Sequence, residues 1–169
     1  MQPFDKMITL VTGSSCDLPS WILKRFRIAV VPLLIQIGDE SFWQKTAKGR
    51  ARPQTSQPSV GTFEEVFGRL VGRGRHVLCV TLTGKHTGTV ETARLAAQRF
   101  GDAVRVFDSH SLSLGLGFQI LEAARARDLG HSMEQILPKL GDVRSRVRAL
   151  VVLDTLENVR QGGRADAFI

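Results

Sequence analysis

Apolar positions along the chain follow two rhythms. Runs of closely spaced apolar residues stand at Met7–Thr12, Ile28–Ile37, His76–Leu82, Ala103–Asp108 and Arg148–Leu153, and each predicts a strand. Between them the apolar residues fall at helical spacing. Leu18–Phe26 reads as a short helix with Pro19 in its first turn, where the missing N–H costs nothing. Phe63, Val66, Phe67, Leu70 and Val71 mark a second helix, with Thr62 and Glu65 as its capping box and Gly72-Arg73-Gly74 as its stop. A third runs through Val90, Ala93, Ala97 and Phe100. A fourth starts near Ser113 and is apolar on almost every side through Leu114, Leu116, Phe118, Ile120 and Leu121. Ser132 with Gln135 caps a fifth, in which Met133, Ile136, Leu137 and Leu140 face inward and Pro138 is expected to kink or shorten the helix. Asp154 or Thr155 is expected to cap a last short helix ending at Gly162-Gly163.

Strand and helix alternate, so the expected fold is α/β: a mostly parallel sheet of about five strands with helices on both faces. Pro32 places the Ile28–Ile37 strand at an edge or marks a bulge. Gly38-Asp39-Glu40 reads as a turn, and Ser41 to Arg52, with weak periodicity and several basic residues, as an exposed loop long enough to serve as a lid or mobile segment.

Size and composition narrow the class. The chain has 169 residues, of which 43% are hydrophobic, which suits one domain with a full core. It holds no run of 18 apolar residues, so no membrane-spanning helix is expected, and Met-Gln-Pro-Phe-Asp-Lys at its start is not the apolar segment of a signal peptide. Cytoplasm is the expected compartment. Cys16 and Cys79 stand alone and the four histidines are scattered, so neither a metal site nor another cofactor is expected. The net charge of +7 invites a nucleic-acid reading. Yet the arginines are dispersed, and the densest set, Arg144, Arg146 and Arg148, alternates instead of tracking one helical face. Charge without a motif does not carry nucleic-acid binding.

Candidate chemistry lies in the loops. Pro53–Phe63 places the hydroxyls of Thr55, Ser56 and Ser59 around a stiff Gln57-Pro58 pair, at the mouth of a helix. Such a row suits a small anionic or carbonyl-bearing group; the plainer reading is a well-capped turn. Gly13-Ser14-Ser15-Cys16-Asp17 and Thr83-Gly84-Lys85-His86-Thr87-Gly88-Thr89 each join a strand to a helix, an arrangement that aims backbone N–H groups at an anion or simply makes the connection. Walker spacing is absent. Asp108, Ser109 and His110 form no hydrolase triad, because adjacent residues rarely converge and no GxSxG elbow exists. Gly115 and Gly117 either admit a ligand or let the helix pack closely on the sheet. In a parallel sheet all these loops gather beyond the carboxyl ends of the strands, where ligands collect.

Read together, the loops resemble those of the DegV family of bacterial fatty-acid-binding proteins, the acyl carriers for fatty acid kinase. The matching residues run in order: Thr12-Gly13-Ser14-Ser15-Cys16-Asp17-Leu18-Pro19, Val30-Val31-Pro32-Leu33, Gly38-Asp39-Glu40, Thr55-Ser56-Gln57-Pro58-Ser59 and Lys85-His86-Thr87-Gly88-Thr89. Asp108-Ser109, Ser113-Leu114-Gly115-Leu116-Gly117, Asp154-Thr155-Leu156-Glu157 and Gly162-Gly163-Arg164 complete the set. The resemblance implies a non-catalytic lipid-binding protein that holds a fatty acid and lets a partner kinase phosphorylate the presented carboxylate. It implies ligand contacts at Thr55, Ser56, Thr87, the Gly88 N–H, Ser14, Ser113, Gly115 and Phe118, with the acyl chain along Leu114–Phe118. It further implies an N-terminal family domain over residues 1–160, with 161–169 as the stub of a second domain, an exposed apolar surface on that side, and a homodimer as one way to cover it. Gly13 replaces the family's usual Asp, and Thr87 its usual Ser, which keeps the hydroxyl and adds a methyl. Two other readings stand beside this one: a non-binding relative that acts as an interaction module, and a phosphate- or nucleotide-binding α/β domain using the same loops.

Overall fold

The computed structural model describes residues 8–37, 40–43, 53–150 and 152. In chain order the elements are β1 (Ile8–Gly13), α1 (Ser20–Arg25), β2 (Ala29–Val31), β3 (Leu34–Ile37), β4 (Glu40–Trp43), β5 (Pro53–Ser56), α2 (Val60–Val71), β6 (His76–Thr81), α3 (Thr89–Gln98), β7 (Val104–Asp108), α4 (Leu114–Asp128) and α5 (Met133–Arg146). Two short 3-10 turns, Ser14–Cys16 and Gly101–Ala103, follow β1 and precede β7.

Among the described residues, four strands form a parallel sheet in the order β2-β1-β6-β7. Its strands are apolar on both faces, as a sheet covered on both sides requires. Side chains alternate between the faces. Leu10, Leu78 and Val80 join Leu23 of α1, Leu116 and Ile120 of α4, and Ile136 and Leu140 of α5 in one core. Val11, Val77 and Cys79 join Phe63 and Phe67 of α2 and Ala93, Ala96 and Ala97 of α3 in the other. The second core is fixed by an aromatic row: Phe63 and Phe67 lie 5.6 Å apart, and Phe100 meets Phe67 edge-on at 6.2 Å. The α/β architecture with helices on both faces is therefore the one expected from the periodicities.

A second sheet replaces what the sequence suggested was partly loop. Ile28–Ile37 is not one strand. Pro32, which has no N–H for a ladder, ends β2, and the chain turns away to form β3. The corner is pinned by Ser14, whose hydroxyl oxygen accepts a hydrogen bond from the Leu33 amide at 3.0 Å. β3 then pairs antiparallel with both β4 and β5, in the order β4-β3-β5. Thus Glu40–Trp43 is a strand and not part of a long loop, and Pro53–Ser56 is also a strand. The rest of the expected lid, residues 44–52, lies outside the described residues.

Three further expectations are corrected. The cap of α2 is Ser59, not Thr62: the helix begins at Val60, and the Thr62 amide donates to the Ser59 hydroxyl at 3.1 Å. Val60 and Gly61 are compatible with a first turn, so the earlier hydroxyl takes the capping position. Pro138 does not shorten α5, which continues to Arg146. Its ring sits on the exposed side, and the burial of Met133, Ile136 and Leu140 offsets a lost backbone bond. Residues 148–150, read as the start of a last strand, join neither sheet; Val151, Leu153 and the expected helix after Asp154 lie outside the described residues. The Ser132–Gln135 capping box does form, with the Ser132 amide donating to Gln135 Oε1 at 2.9 Å.

Cys79 lies at the centre of the parallel sheet, and burial pushes its thiol up from an ordinary 9.0 to about 12. In the unfolded chain it ionises near its ordinary value; in the folded chain it stays protonated. The stability this contributes is complete below about pH 9 and is lost as pH rises towards 12, at up to about 1.4 kcal/mol per pH unit. A Cys79→Ala variant is expected to flatten that alkaline decline in urea titrations between pH 8 and 11, and a thiol reagent at pH 8 is expected to label the wild-type Cys79 only after denaturant is added.

Candidate functional site

The topology places a crevice before any side chain is considered. From β1 the chain passes through α1 to β2 on one flank; from β6 it passes through α3 to β7 on the other. The two halves wind apart between the carboxyl ends of β1 and β6, the position at which open parallel sheets bind ligands. Thr12 closes the floor there, its buried hydroxyl donating to the Val80 carbonyl at 2.9 Å. The loops after β1, β6 and β7 all open at this rim, as the sequence suggested.

The Thr55–Ser59 stretch reaches the same rim by way of the second sheet. β5 pairs Thr55 with Ile35 and Ser56 with Leu34, which fixes where the strand ends. The side chain of Thr55 lies outside the described part of the structure; Ser56 is exposed. The next residue makes the connection. Gln57 Nε2 donates to Thr92 Oγ1 at 3.1 Å, and Thr92 Oγ1 donates to the Gly88 carbonyl at 3.0 Å. A Cβ on Gly88 would overlap the Gln57 amide. Gly88 is therefore a contact face as well as the N-cap of α3, and the two hydroxyl-bearing segments meet through Gln57. Buried Pro58 and the Ser59 cap hold the strand-to-helix passage around it.

Thr87, one residue before that cap, is half-buried. Its Oγ1 lies 2.8 Å from Thr89 Oγ1 and accepts from the Thr89 amide at 3.2 Å. Ser14 is engaged at the Leu33 corner. Ser113 is half-buried with φ 53°, and its carbonyl accepts from the Leu116 and Gly117 amides at the start of α4. Leu114 and Phe118 are 49% and 57% exposed, so this helix presents two large apolar side chains outwards. Gly115 and Gly117 face the other way. A Cβ on Gly115 would overlap Ser111 Oγ, and one on Gly117 would lie 2.7 Å from the Cys16 carbonyl oxygen. Of the two readings held for these glycines, close packing is the one the geometry supplies.

The loops are laced by side-chain-to-backbone bonds. Asp108 accepts from the His110 amide at 2.9 Å through Oδ1 and from the Gly84 amide at 3.1 Å through Oδ2, coupling the ends of β6 and β7. The Thr83 amide donates to the Ser111 carbonyl, and the Ser109 amide to the Thr81 carbonyl. Beneath them Gln119, fully buried, donates from Nε2 to the carbonyls of Ser109 at 3.0 Å and Gly115 at 3.1 Å. Beside this lacing a cavity of about 680 Å³ opens between Thr83, His86, His110, Arg144 and Arg148. Arg144 is held over the Phe107 ring at 4.8 Å and donates to the Asp108 carbonyl at 3.1 Å, which adds fixed positive charge to the rim. Gln57, Gln119 and Arg144 were missed as site-building residues. Only Gln57, next to Pro58 in a hydroxyl-rich stretch, carried a signal that would have marked it.

A doubly wound parallel sheet with polar loops converging on its carboxyl crevice defines an open α/β domain, the class of fold in which ligands sit at that crevice. Residues 7–168 match the family model described as "Uncharacterised protein, DegV family", and the chain belongs to that family. The DegV domain-containing protein YejH of Lactococcus lactis is 35% identical over 167 residues, which are 93% of this chain and 60% of that protein. Among solved structures, a DegV family protein from Thermus thermophilus, described by its fatty acid binding, superposes with a TM-score of 0.84 at 36% identity over 96% of this chain and 63% of the other. DegV from Bacillus subtilis, described as a fatty acid binding protein, gives a TM-score of 0.85 at 27% identity, over 95% and 61% respectively. The chain thus spans about three-fifths of the length of these relatives. Among the described residues no helix is long and apolar enough to cross a membrane, and no group of histidines, cysteines and carboxylates is placed to hold a metal ion.

The Gln119 amide is the test of how this rim is held. Gln119→Leu keeps the volume but leaves two buried carbonyls without that donor, and is expected to cost about 1–3 kcal/mol of stability in urea unfolding. Ser59→Ala, which removes only the α2 cap, is expected to cost about 1 kcal/mol.

Proposed function

We propose that this chain holds a long-chain fatty acid by its carboxylate and presents that carboxylate to a fatty acid kinase, doing no chemistry itself. The observation that supports this reading is the contact of Gln57 with Thr92 and Gly88, which brings a hydroxyl-bearing segment beside the N-terminus of α3. Neutral donors at a helix N-terminus favour a negative charge, and the rim's Arg144 adds to the same field. The fatty acids described for the Thermus thermophilus and Bacillus subtilis proteins supply the ligand class.

In this reading Thr55, Thr87 and the Gly88 N–H bind the carboxylate, with Ser14, Ser56 and Ser113 around them. Leu114 and Phe118 give apolar surface to the acyl chain, while Gly115 keeps their helix close to the loop beneath. Each buried methylene contributes about 0.8 kcal/mol, so the chain supplies most of the affinity and the head group sets the orientation. A carboxylate left at an open rim, and not sealed in the core, is accessible to a phosphoryl donor on a partner.

Two measurements test this. Mass spectrometry of the purified protein is expected to show co-purified fatty acid. In titrations with a fluorescent fatty acid, Thr55→Val and Thr87→Val are each expected to weaken binding about ten-fold or more, the loss of one bond to a charged acceptor. Gln57→Ala is expected to weaken it less, because it loosens the approach of the two segments without removing a donor. Unchanged affinity in both threonine variants would dismiss the head-group assignment.

A further inference from the structure

The opposite rim of the parallel sheet carries a groove that fatty-acid binding does not use. It lies between the first residues of β1 and β2 and the carboxyl ends of α1, α2 and α4, and its volume is about 690 Å³. Among the described residues, Arg25, Arg27, Arg73, Arg75 and Arg127 line it, with Asp128 as the one carboxylate. Asp128 is already occupied: Arg127 donates to its Oδ1 through Nε at 2.9 Å and through a terminal nitrogen at 2.7 Å, and also reaches the Phe26 carbonyl at 2.9 Å. Arg127 and Asp128 cancel. The other four guanidinium groups have no ion pair among the described residues.

The plain structural role for these arginines would be to cap helix carboxyl ends. The backbone has largely taken that role. The α1 carbonyls of Ile22, Leu23 and Lys24 accept from the amides of Phe26, Ile28 and Arg27. At the end of α2, Leu70 accepts from the Arg73 and Arg75 amides and Val71 from that of Gly74, which takes φ 71°. At the end of α4, Arg125, Ala126 and Arg127 accept from Leu129, His131 and Gly130. Self-capped ends of this kind leave the side chains over. The macrodipoles do not absorb them either: three helix ends supply about half a negative charge each, against four uncompensated guanidinium groups.

We infer that this groove binds a small, multiply charged phosphate anion. Arginine forks match phosphate oxygens two at a time, and a concave site ringed by four of them suits a ligand with more than one phosphate. Concavity separates it from a flat anionic membrane, and the Phe26 ring, half-buried with Arg25 over it at 5.8 Å, leaves no open platform for stacked bases.

The test uses inorganic triphosphate as the probe, in calorimetric titrations of the intact chain at low and moderate salt. One site per chain is expected. Arg73→Gln with Arg75→Gln, and separately Arg25→Gln with Arg27→Gln, are each expected to weaken it about ten-fold or more. The control Arg94→Gln with Arg146→Gln removes the same charge elsewhere on the surface and is expected to change affinity less than about two-fold. All three variants are expected to keep the wild-type melting temperature within a few degrees and the wild-type fatty-acid affinity, so that this site and the lipid site stand or fall separately. Absence of triphosphate binding, or equal weakening in the control, overturns the inference. So does preferential binding of a single-stranded oligonucleotide with a stoichiometry that follows its length, which would make the groove part of a nucleic-acid surface.

Discussion

The pairing of β1 with β6 is the constraint on which the molecule depends. These strands are distant in sequence but lie side by side, with Thr12 opposite Val80 and the Thr12 hydroxyl bonded to the Val80 carbonyl. Each belongs to a separate strand-helix-strand unit, and the units grow outwards in opposite directions. If this one ladder slipped by a residue, the alternating side chains of β6 would exchange faces. Leu78 and Val80 would leave the α4 core, and Val77 and Cys79 would leave the α2–α3 core. The register is thus specified from both sides at once. Because it is, the loops after β1 and β6 emerge level with one another and a crevice forms between them.

What finishes the rim is polar. A loop that packs against the end of a sheet must pair its backbone groups, and no ladder continues there to do so. Asp108, Ser109, Thr83 and Gln119 take over that task with side-chain and main-chain bonds. His110 and Ser113 both take positive φ, a conformation that costs a non-glycine residue about 1 kcal/mol or more. The turn keeps this geometry because the bonds on either side of it fix the chain. The close approach of α4 depends on the same economy of space: Gly115 leaves room for Ser111, and Gly117 leaves room for the Cys16–Leu18 turn.

These features differ in how far the sequence reveals them. Among the described residues, β1, β6, β7 and the five helices are legible because a buried face enforces its period: Leu10 against Val11, or Met133 with Ile136 and Leu140. The second sheet is not. Glu40–Trp43 and Pro53–Ser56 have no long apolar alternation; the first is a strand because it pairs with the neighbouring β3, and the second because it pairs with β3 from farther along the chain, beyond a local window. The cap of α2 departs from the expected one for a related reason, since Ser59 and Thr62 are both good caps and the choice follows from where β5 releases the chain. The sequence marks Gln57 only through its backbone, as the residue before Pro58, yet its side chain joins the two loops. A long-range bond of this kind leaves no periodic trace. The convergence of loops was legible because it follows from topology, which the alternation of strands and helices already implies.

The two rims of the sheet also differ in electrostatic character, and the helices explain why. α2 and α3 start at the carboxyl rim, so their amino ends lend partial positive charge to whatever sits there, and hydroxyls and backbone N–H groups suffice to attract an anion. α1, α2 and α4 end at the opposite rim, where the same dipoles repel anions. A site for negative charge on that side must overcome the helices with full charges, and the chain places arginine in or just beyond the last turn of each of the three. At the carboxyl rim the peptide groups themselves can do the attracting, which leaves space for a ligand with a long apolar tail. At the amino rim the charge must come from side chains, whose reach and forked donors set the scale of what can be held. On the two proposals together, one fold offers two chemically distinct anion environments, separated by the length of its strands and lined by different residue types because the backbone dipoles point from one towards the other.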